Sequence, residues 1–393
     1  MALVAKGVYL DVIGSDEVDR PEMHTNPNLR FLNLWGSQRA NTTVMGKILR
    51  VLAYYGRLLR YAAVAKPKIF HILWNNKFHL FDRTLLMLYY KFCGKKIVFT
   101  AHNINAGKRD GNDGLLNRLT LRMQYLFSDH MFVHTEKMKE ELLDSFGVRE
   151  RFVTVIPFGI NNSVPKTDLS PVEAKHQLGI LEGEKTILFF GNIGPYKGLE
   201  YLVGAFQRIA ERNGDYRLLI AGKVRGGCEN YIEKIQQAIN RHASRERITQ
   251  RIEYIPEGKT EVYFKAAGLL VLPYTKVSQS GVLFLGYNFG LPVVATDVGS
   301  LRENVIEGKT GFLCRPSDPV DLARAIEAYF ESDLYKGLAT HRSEIEGYFK
   351  QKHSWDIVGE TTRNVYADLL GEAHHETFGI GSHSCVQRAE MDR

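Results

Sequence analysis

Hydrophobic and polar residues follow two alternating periods along most of the chain. Short apolar runs, typical of buried strands, are followed by longer segments in which apolar residues recur every three or four positions, as on one face of a helix. The clearest pair is the run Ile187–Phe190 followed by Leu199–Ile209. Strands that alternate with helices predict an α/β protein with parallel sheets. In the first half, the candidate strands are Val8–Ile13, Ile69–Leu73, Lys96–Ala101, His130–His134 and Val153–Pro157.

A glycine-containing loop joins the run at residues 187–190 to the helix that follows. Gly191, Gly194 and Gly198 lie in this loop, and Lys197 adds a positive charge. A strand, a glycine loop and a helix N-terminus together direct several backbone N–H groups and a positive dipole at one place, which suits a phosphate. An ordinary turn between a strand and a helix, in which the glycines only relieve crowding, is the alternative. The loop alone does not decide between these interpretations.

A second segment has the same organisation about a hundred residues later. The apolar run Leu269–Leu272 ends at Pro273, a polar loop follows at Tyr274–Ser280, and Gly281 opens an apolar helix. Gly290-Leu291-Pro292 ends that helix, and the next apolar run begins. The N-terminus of this second helix is therefore placed to hold the same phosphate from another side.

These segments occur in a recognisable order. GNIGPYKGLEYLVGAF (191–206), LPY…SQSGV…GLPVVATDVGS…E…GKTGFL (272–313) and VTVIPFGI (153–160) resemble the nucleotide-sugar half of the family 4 glycosyltransferases, also called glycosyl transferases group 1. The resemblance covers roughly residues 8–370. It implies the GT-B fold, an α/β architecture in which two Rossmann-like, doubly wound domains face a central cleft. Ligands of such sheets bind at the carboxyl ends of the strands.

The alternation of strands and helices, the polar and turn residues at 161–170, the lack of periodicity after residue 373 and the resemblance together give a division of the chain. They predict an N-terminal, acceptor-side Rossmann-like domain at residues 1–163, a linker at 164–181, a nucleotide-sugar-binding domain at 182–345, a C-terminal helix that returns to the first domain at 346–372, and a loose tail at 373–393. A complete first domain would open with a strand and a glycine-rich turn before Val8. We expect this domain to lack that unit and to be shortened at its start.

The implied reaction is the transfer of a hexose from a UDP- or GDP-sugar to the hydroxyl of a lipid-linked or oligosaccharide acceptor, with retention, in polysaccharide or glycolipid synthesis. The leaving diphosphate gains negative charge, so hydrogen-bond donors and cations aimed at it should supply much of the rate. Lys197, the N–H groups around Gly194 and the Ser280–Gly281 helix start are the candidates. The chain contains no D-x-D motif. We therefore expect a metal-independent reaction with no cofactor beyond the donor substrate.

His102 is the second catalytic candidate, beside Lys197. It follows the predicted strand Lys96–Ala101 in a polar loop, and in the resembling family a histidine at this place contacts the transferred sugar. A lone histidine is more often structural, which is the alternative. Asn103, Arg109 and Asp110 are expected to orient the sugar or the acceptor.

The full set of expected donor-binding residues is Gly191, Asn192, Gly194, Gly222, Ile255, Gln279, Ser280, Gly281 and Glu303. Three positions depart from the family. Asn192 replaces an arginine, and Val277 and Leu285 replace two glutamates that many members carry; Gln279 or Ser278 would have to replace the first contact. A non-catalytic GT-B remnant that binds a nucleotide sugar or a partner therefore remains an alternative, as does a GT-B enzyme of another class.

Composition adds limits on compartment and partners. The hydrophobic content of 44% and the charged content of 24% are those of a soluble globular protein. Four cysteines lack C-x-x-C spacing, so neither a zinc site nor a disulfide framework is indicated. No signal-peptide core and no apolar run of ~20 residues is present, so we expect a cytoplasmic protein.

The net charge of +7 suggests a use for the segment Gly46–Lys66. On a helical wheel, Lys47, Arg50, Arg57 and Arg60 fall on one arc of about 140°, opposite apolar residues. Such a helix could lie on the inner face of an anionic membrane; a surface helix whose basic face is merely solvated is the alternative. The basic residues are dispersed and no recognition motif is present, so no nucleic acid partner is expected.

Overall fold

The computed structural model of the protein describes residues 1–36, 43–76, 78–111, 113–159 and 164–372. The described chain forms two domains, each with parallel β-sheet and covering helices, so the predicted α/β class is confirmed. The predicted tail at residues 373–393 lies outside the described ranges. No helix in these ranges is both long enough and apolar enough to cross a bilayer.

The first domain contains, in chain order, α1 (Ala2–Ala5), β1 (Leu10–Gly14), α2 (Glu22–Thr25), β2 (Leu29–Asn33), α3 (Val44–Val64), β3 (Ile69–Ile72), α4 (His79–Arg83), α5 (Leu85–Phe92), β4 (Lys96–Thr100), α6 (Ala106–Asp110), α7 (Leu115–Phe127), β5 (His130–Val133), α8 (Glu136–Phe146) and β6 (Val153–Val155).

The second domain and the C-terminal helices comprise α9 (Pro171–Gln177), β7 (Lys185–Phe190), α10 (Leu199–Arg212), β8 (Tyr216–Ala221), α11 (Glu229–Arg241), β9 (Ile248–Arg251), α12 (Glu257–Ala266), β10 (Leu269–Leu272), α13 (Gly281–Asn288), β11 (Val293–Thr296), α14 (Leu301–Asn304), β12 (Gly311–Cys314), α15 (Pro319–Glu331), α16 (Asp333–Lys336), α17 (Leu338–Lys352) and α18 (Trp355–Leu370).

The six strands of the second domain are ordered β12-β11-β10-β7-β8-β9, all parallel. Strands β8 and β9 therefore follow β7 on one side, and β10, β11 and β12 are added in order on the other side of β7. Such a reversal opens a crevice at the carboxyl ends of the two strands, where ligands of doubly wound sheets bind. The loops that follow β7 and β10 are the two loops singled out in the sequence.

Helix α10 shows why the second sheet is stable. Its apolar residues recur at helical spacing and are all buried against the sheet, as the periodicity predicted: Leu199, Leu202, Val203, Phe206 and Ile209. They join the apolar residues of β7, β8 and β10 in one continuous core. This core fixes the strand ends from which the two loops project.

The strands of the first domain form two separate parallel sheets, β1-β2 and β3-β4-β5-β6. A cavity of about 1870 Å³ separates β1 from β3, with α3 on one side and α18 on the other. Tyr61 of α3 spans the gap, because its hydroxyl donates to Asp11 of β1 and its ring stacks on Phe70 of β3. No described strand lies in the gap. Among the described residues, β1 and β3 are therefore not hydrogen-bonded to each other or through a common strand, and the expected loss of an opening unit stays a prediction.

The segment predicted as a linker, residues 164–181, contains α9. Ser170 and Glu173 form a capping box at its start, and the helix contacts α12 of the second domain. At the other end of the chain, α18 packs on the first domain, where the Tyr366 hydroxyl is 2.6 Å from Nδ1 of His71.

Candidate functional site

The two loops of the second domain approach each other through glycines. A Cβ atom on Gly222 would lie 1.8 Å from the carbonyl oxygen of Gly191, so the turns after β7 and β8 touch without side chains between them. A Cβ atom on Gly198 would lie 2.0 Å from the carbonyl oxygen of Pro273, which begins the second loop. All three glycines have a positive φ, a region that non-glycine residues adopt only under strain. Gly198 thus lets the loops after β7 and β10 meet, and Gly222 lets the turn after β8 lie against the first of them.

Lys197 lies between these loops. It ends a short 3₁₀ turn, Pro195–Lys197, and is only 8% exposed. Its ammonium group is 3.8 Å from the centre of the Tyr274 ring, which provides a cation–π contact. Burial raises the pKa of Tyr274, so this phenol stays neutral and does not neutralise the lysine. A positive charge is therefore held at the crevice by both loops.

The second loop presents a buried amide, that of Gln279, which is only partly hydrogen-bonded. Oε1 of Gln279 lies 2.5 Å from the hydroxyl oxygen of Ser300, and the carbonyl oxygen of Ser278 contacts the same hydroxyl. A hydroxyl has one proton, so it donates to only one of these two oxygens. Nε2 of Gln279 is buried and has no hydrogen-bond partner among the described residues. A buried unpaired amide costs free energy unless a ligand satisfies it. The Ser280 hydroxyl differs, because it accepts from the backbone N–H of Leu283 and caps α13.

Phe158 connects the first domain to this loop. It follows β6, and its ring stacks on Phe284 of α13 at 5.2 Å between centres. A Cβ atom on Gly281 would be 3.9 Å from the same ring, and the ring of His134 lies 5.0 Å away in an edge-to-face contact. The N-terminus of α13 and the histidines of the first domain are therefore separated by a single phenyl ring.

His102 is half-buried at the carboxyl edge of the first sheet. Trp74, which follows β3, stacks on its ring at 4.3 Å. Nδ1 of His102 is 3.0 Å from Nε2 of His134, and Nδ1 of His134 is 3.3 Å from the carbonyl oxygen of Ile156. Because a carbonyl can only accept, His134 carries its proton on Nδ1 and accepts from His102 through Nε2. His102 therefore carries its proton on Nδ1, which leaves Nε2 as an acceptor.

Both rings are neutral at neutral pH. Burial lowers the pKa of His102, and burial together with the neighbouring His102 lowers the pKa of His134 to about 4. A neutral His102 can accept a hydrogen bond from a sugar hydroxyl, or a proton from an acceptor hydroxyl. The functional role of His102 stays a prediction.

Glu303 lies at the contact between the two domains. Its carboxylate oxygens accept from the backbone N–H groups of Glu136 and Lys137, each at 3.2 Å. These are the first two residues of α8, so the carboxylate also meets the positive end of the helix dipole. In this structure the glutamate therefore binds the first domain and sits beside the loop that follows β5.

The remaining predicted residues surround this centre. Asn192 is exposed beside Gly191, and Asn103 is half-buried next to His102. Ile255 is half-buried just ahead of α12 and packs against the second core. Gly194 begins the 3₁₀ turn that carries Lys197. The side chains of Arg109 and Asp110 lie outside the described part of the chain.

Three site residues were not predicted from the sequence: Trp74, His134 and Phe158. Each directly follows or lies just beyond a strand of the first sheet. Because the carboxyl ends of parallel strands meet at one edge of the sheet, a polar or aromatic residue at such an end is a signal for a site residue. From the sequence alone, this signal was used only for His102.

Two family models match the chain. The model described as "Glycosyltransferase Family 4" matches residues 1–164, and the model described as "Glycosyl transferases group 1" matches residues 184–332. An uncharacterized glycosyltransferase of Methanocaldococcus jannaschii is 26% identical over 281 residues, 70% of each chain. A D-inositol 3-phosphate glycosyltransferase of Corynebacterium aurimucosum is 25% identical over 284 residues, 70% of this chain and 66% of that one.

The fold has a solved counterpart in HepE of Anabaena, crystallised in complex with UDP. It superposes with a TM-score of 0.69 at 17% identity, over 87% of each chain. At this identity the likeness is one of fold, and it confirms the GT-B architecture. The two family models together match most of the chain and show that it belongs to the family 4 glycosyltransferases, the glycosyl transferases of group 1.

Proposed function

We propose that the protein transfers a hexose from a UDP- or GDP-sugar to a hydroxyl of a lipid-linked or oligosaccharide acceptor. The observation that carries this proposal is the meeting of two groups across the Phe158 ring. On one side is His102, neutral and with Nε2 free of the His134 hydrogen bond; on the other is the N-terminus of α13. One group suits a sugar and the other a phosphate.

The diphosphate is proposed to lie in the crevice between the loops that follow β7 and β10. There it would meet the N–H groups of the Gly191–Gly198 loop, the dipole of α13 and the Lys197 ammonium. All of these are donors or cations fixed before the substrate arrives, so they stabilise charge on the leaving group without rearrangement. HepE was crystallised with UDP and also with UDP-glucose, which supports a nucleotide sugar as the ligand of the same fold here.

His102 is proposed to accept a hydrogen bond from the transferred sugar through Nε2. The His134 contact selects this tautomer, and the Trp74 ring restricts the imidazole plane. Retention and independence from metal are further parts of the proposal. Retention rests on the family resemblance, and metal independence on the lack of a D-x-D sequence and on the presence of Lys197 at the crevice.

A non-catalytic binding protein is the second candidate, and one observation favours it. Val277 and Leu285 occupy the positions at which many members carry glutamates, and Leu285 is buried in the second core. Neither side chain can hydrogen-bond a ribose or a sugar ring. A protein that keeps the phosphate site but lacks these contacts could bind a nucleotide without turnover.

The test compares binding with turnover in the purified full chain. A panel of UDP-, GDP- and ADP-hexoses is screened by thermal shift, and donor hydrolysis or transfer is then measured with and without EDTA. We expect one nucleotide to raise the melting temperature, and turnover to survive EDTA and fall about a hundredfold in His102→Ala and Lys197→Ala. His176→Ala is the matched control, since His176 is exposed on α9. Binding without turnover would establish the second candidate instead.

A further inference from the structure

Helix α3 leaves an apolar stripe in solvent. Met45, Ile48, Leu49 and Leu52 recur with the spacing of one helical face, and each is between 50% and 64% exposed. The part of the helix that packs lies beside this stripe and comprises Tyr54, Tyr55, Leu58 and Ala62. The apolar arc predicted from the sequence is therefore only partly used by the core.

Two neighbouring helices repeat this feature. On α5, Leu85, Leu88 and Phe92 are exposed at positions i, i+3 and i+7, and on α7, Leu115, Leu119 and Leu126 are exposed. The buried faces of α3 and α5 share one core, and α5 contacts α7. The three helices therefore lie in one layer of the first domain, and each turns an apolar stripe outward. Contiguous exposed apolar surface of this kind marks an interaction site.

The same layer is cationic. Helices α3, α5 and α7 contain seven Lys or Arg residues and no Asp or Glu. Across residues 43–109 the only acidic residue is Asp82, and this side chain is buried and accepts a hydrogen bond from Tyr55. Lys47, Arg57 and Arg60 on α3 and Arg118 and Arg122 on α7 are exposed. Arg118 pairs with Asp113, and Lys91 of α5 pairs with Asp129. The outward face thus combines apolar stripes with a net positive charge.

These two properties decide which partner fits. A second copy of the chain in a symmetric dimer would place this patch against itself, so two surfaces of net positive charge would face each other. A bilayer that contains anionic lipid offers both complements: headgroups for Lys and Arg, and an acyl region for the Leu, Ile and Phe side chains. We propose that the outer face of α3, α5 and α7 docks on an anionic membrane surface, with the helices in the plane of the interface.

One end of this face lies at the edge of the sheet that carries His102. In a parallel α/β domain, a helix that follows a strand begins near the carboxyl edge of the sheet. Met45 near the start of α3 and Leu115 at the start of α7 are therefore on the side of the sheet that carries His102. Docking through this face uses none of the residues placed in the donor site, so it stands independently of the proposed transfer reaction.

The test is vesicle co-sedimentation of the full chain. One set of vesicles contains phosphatidylcholine alone, and the other also contains about one third phosphatidylglycerol. We expect binding to the anionic vesicles only, and a loss of about tenfold or more in partitioning for Ile48→Ser/Leu52→Ser and for Lys47→Glu/Arg60→Glu. The control is Leu181→Ser/Val320→Ser, which changes two exposed apolar residues of the second domain and should bind as wild type does.

Each other outcome overturns the proposal. Equal binding by the α3 variants and the wild type would show that α3 does not contact the membrane. Equal binding to both vesicle types would show that anionic headgroups do not contribute to binding. A dimer in light scattering that the Ile48→Ser/Leu52→Ser variant abolishes, without vesicle binding by the wild type, would assign the face to self-association. Thermal melting of each variant shows that the fold is intact, because the substituted side chains are exposed.

Discussion

Replacement of His134 by phenylalanine removes the acceptor that holds the His102 tautomer, while it keeps an aromatic ring against Phe158. Nδ1–H of His102 would then point at a carbon edge and lose its 3.0 Å partner. A buried donor without a partner costs about 1–3 kcal/mol. If this free-energy cost destabilises the ring orientation in which Nε2 of His102 faces the sugar, kcat/KM drops by about 5- to 150-fold. The conversion follows because about 1.4 kcal/mol corresponds to a factor of ten.

The His134→Gln variant is the matched comparison. A glutamine can accept from His102 through Oε1 and donate to the carbonyl of Ile156 through Nε2, so it reproduces both hydrogen bonds of His134. We expect His134→Gln to keep kcat/KM within about threefold of wild type, a change below the ~1 kcal/mol of one net hydrogen bond, and the Kd for the free nucleotide to stay unchanged in both variants.

The assay is donor turnover across a range of donor concentrations, so that kcat and KM are separated, with calorimetry for nucleotide binding. His134 is a positioning residue in this scheme, because it acts on the sugar only through His102. The reasoning fails if His134→Phe turns over as fast as wild type, or if glutamine and phenylalanine cause the same loss. A loss shared by both variants would mean that the imidazole of His134 itself, and not its hydrogen-bond pattern, is required.

Three further predictions concern titration and backbone strain. Because burial lowers the pKa of His102 from its ordinary value of 6.5 and the neutral ring is the active form, the acid limb of a kcat/KM–pH profile should lie below pH 6.5; a limb above that value would contradict a buried neutral imidazole. Burial lowers the pKa of His71 to about 4, so the unfolded state takes up the proton first and stability falls as pH drops from 6.5 toward 4. Chemical denaturation should show that the free energy of unfolding of the wild type falls between pH 7 and pH 5 by about 2 kcal/mol more than that of His71→Gln. An equal fall in both proteins would refute this. Gly222→Ala places a Cβ atom 1.8 Å from the Gly191 carbonyl and should cost about 2 kcal/mol or more and weaken nucleotide binding in calorimetry, whereas Gly258→Ala, which meets nothing within 4 Å, should cost neither.

The strands were predictable where burial on both faces makes an apolar run. All five candidate strands of the first half coincide with observed strands, at Leu10–Gly14, Ile69–Ile72, Lys96–Thr100, His130–Val133 and Val153–Val155. Strand β2 was missed because its sequence, LRFLN, places an arginine and an asparagine among three apolar residues. A strand at the edge of a two-stranded sheet keeps some positions in solvent, so its apolar run is broken.

Helix α9 was missed although its signal is local. The stretch was interpreted as a linker from its polar and turn residues, but Ser170-Pro171 followed by Glu173 is the pattern of a capped helix start. Helix α3 was predicted with its correct basic arc. Which part of its apolar arc is buried depends on α5 beneath it, and periodicity within one helix carries no information about that neighbour.

The site could be predicted in its parts but not in its contacts. Loop glycines, Lys197 and His102 follow from strand–loop–helix order. The pairing of His102 with His134, and of Phe158 with α13, depends on the register of three strands and on how the domains meet. These relations join residues that are far apart in the chain.

The chemistry of the crevice suggests which part of a nucleotide sugar dominates binding. The groups that the structure fixes around it are a cation and donors: the Lys197 ammonium and the backbone N–H groups at the N-terminus of α13. The two positions at which the family supplies glutamates carry Val277 and Leu285, so no carboxylate from them is available to accept from ribose hydroxyls. A donor-only site recognises anionic oxygens. Affinity should therefore depend strongly on the diphosphate and little on the nucleoside, so that UDP binds far more tightly than uridine, and the identity of the base is left to backbone contacts near Gly222 and Ile255.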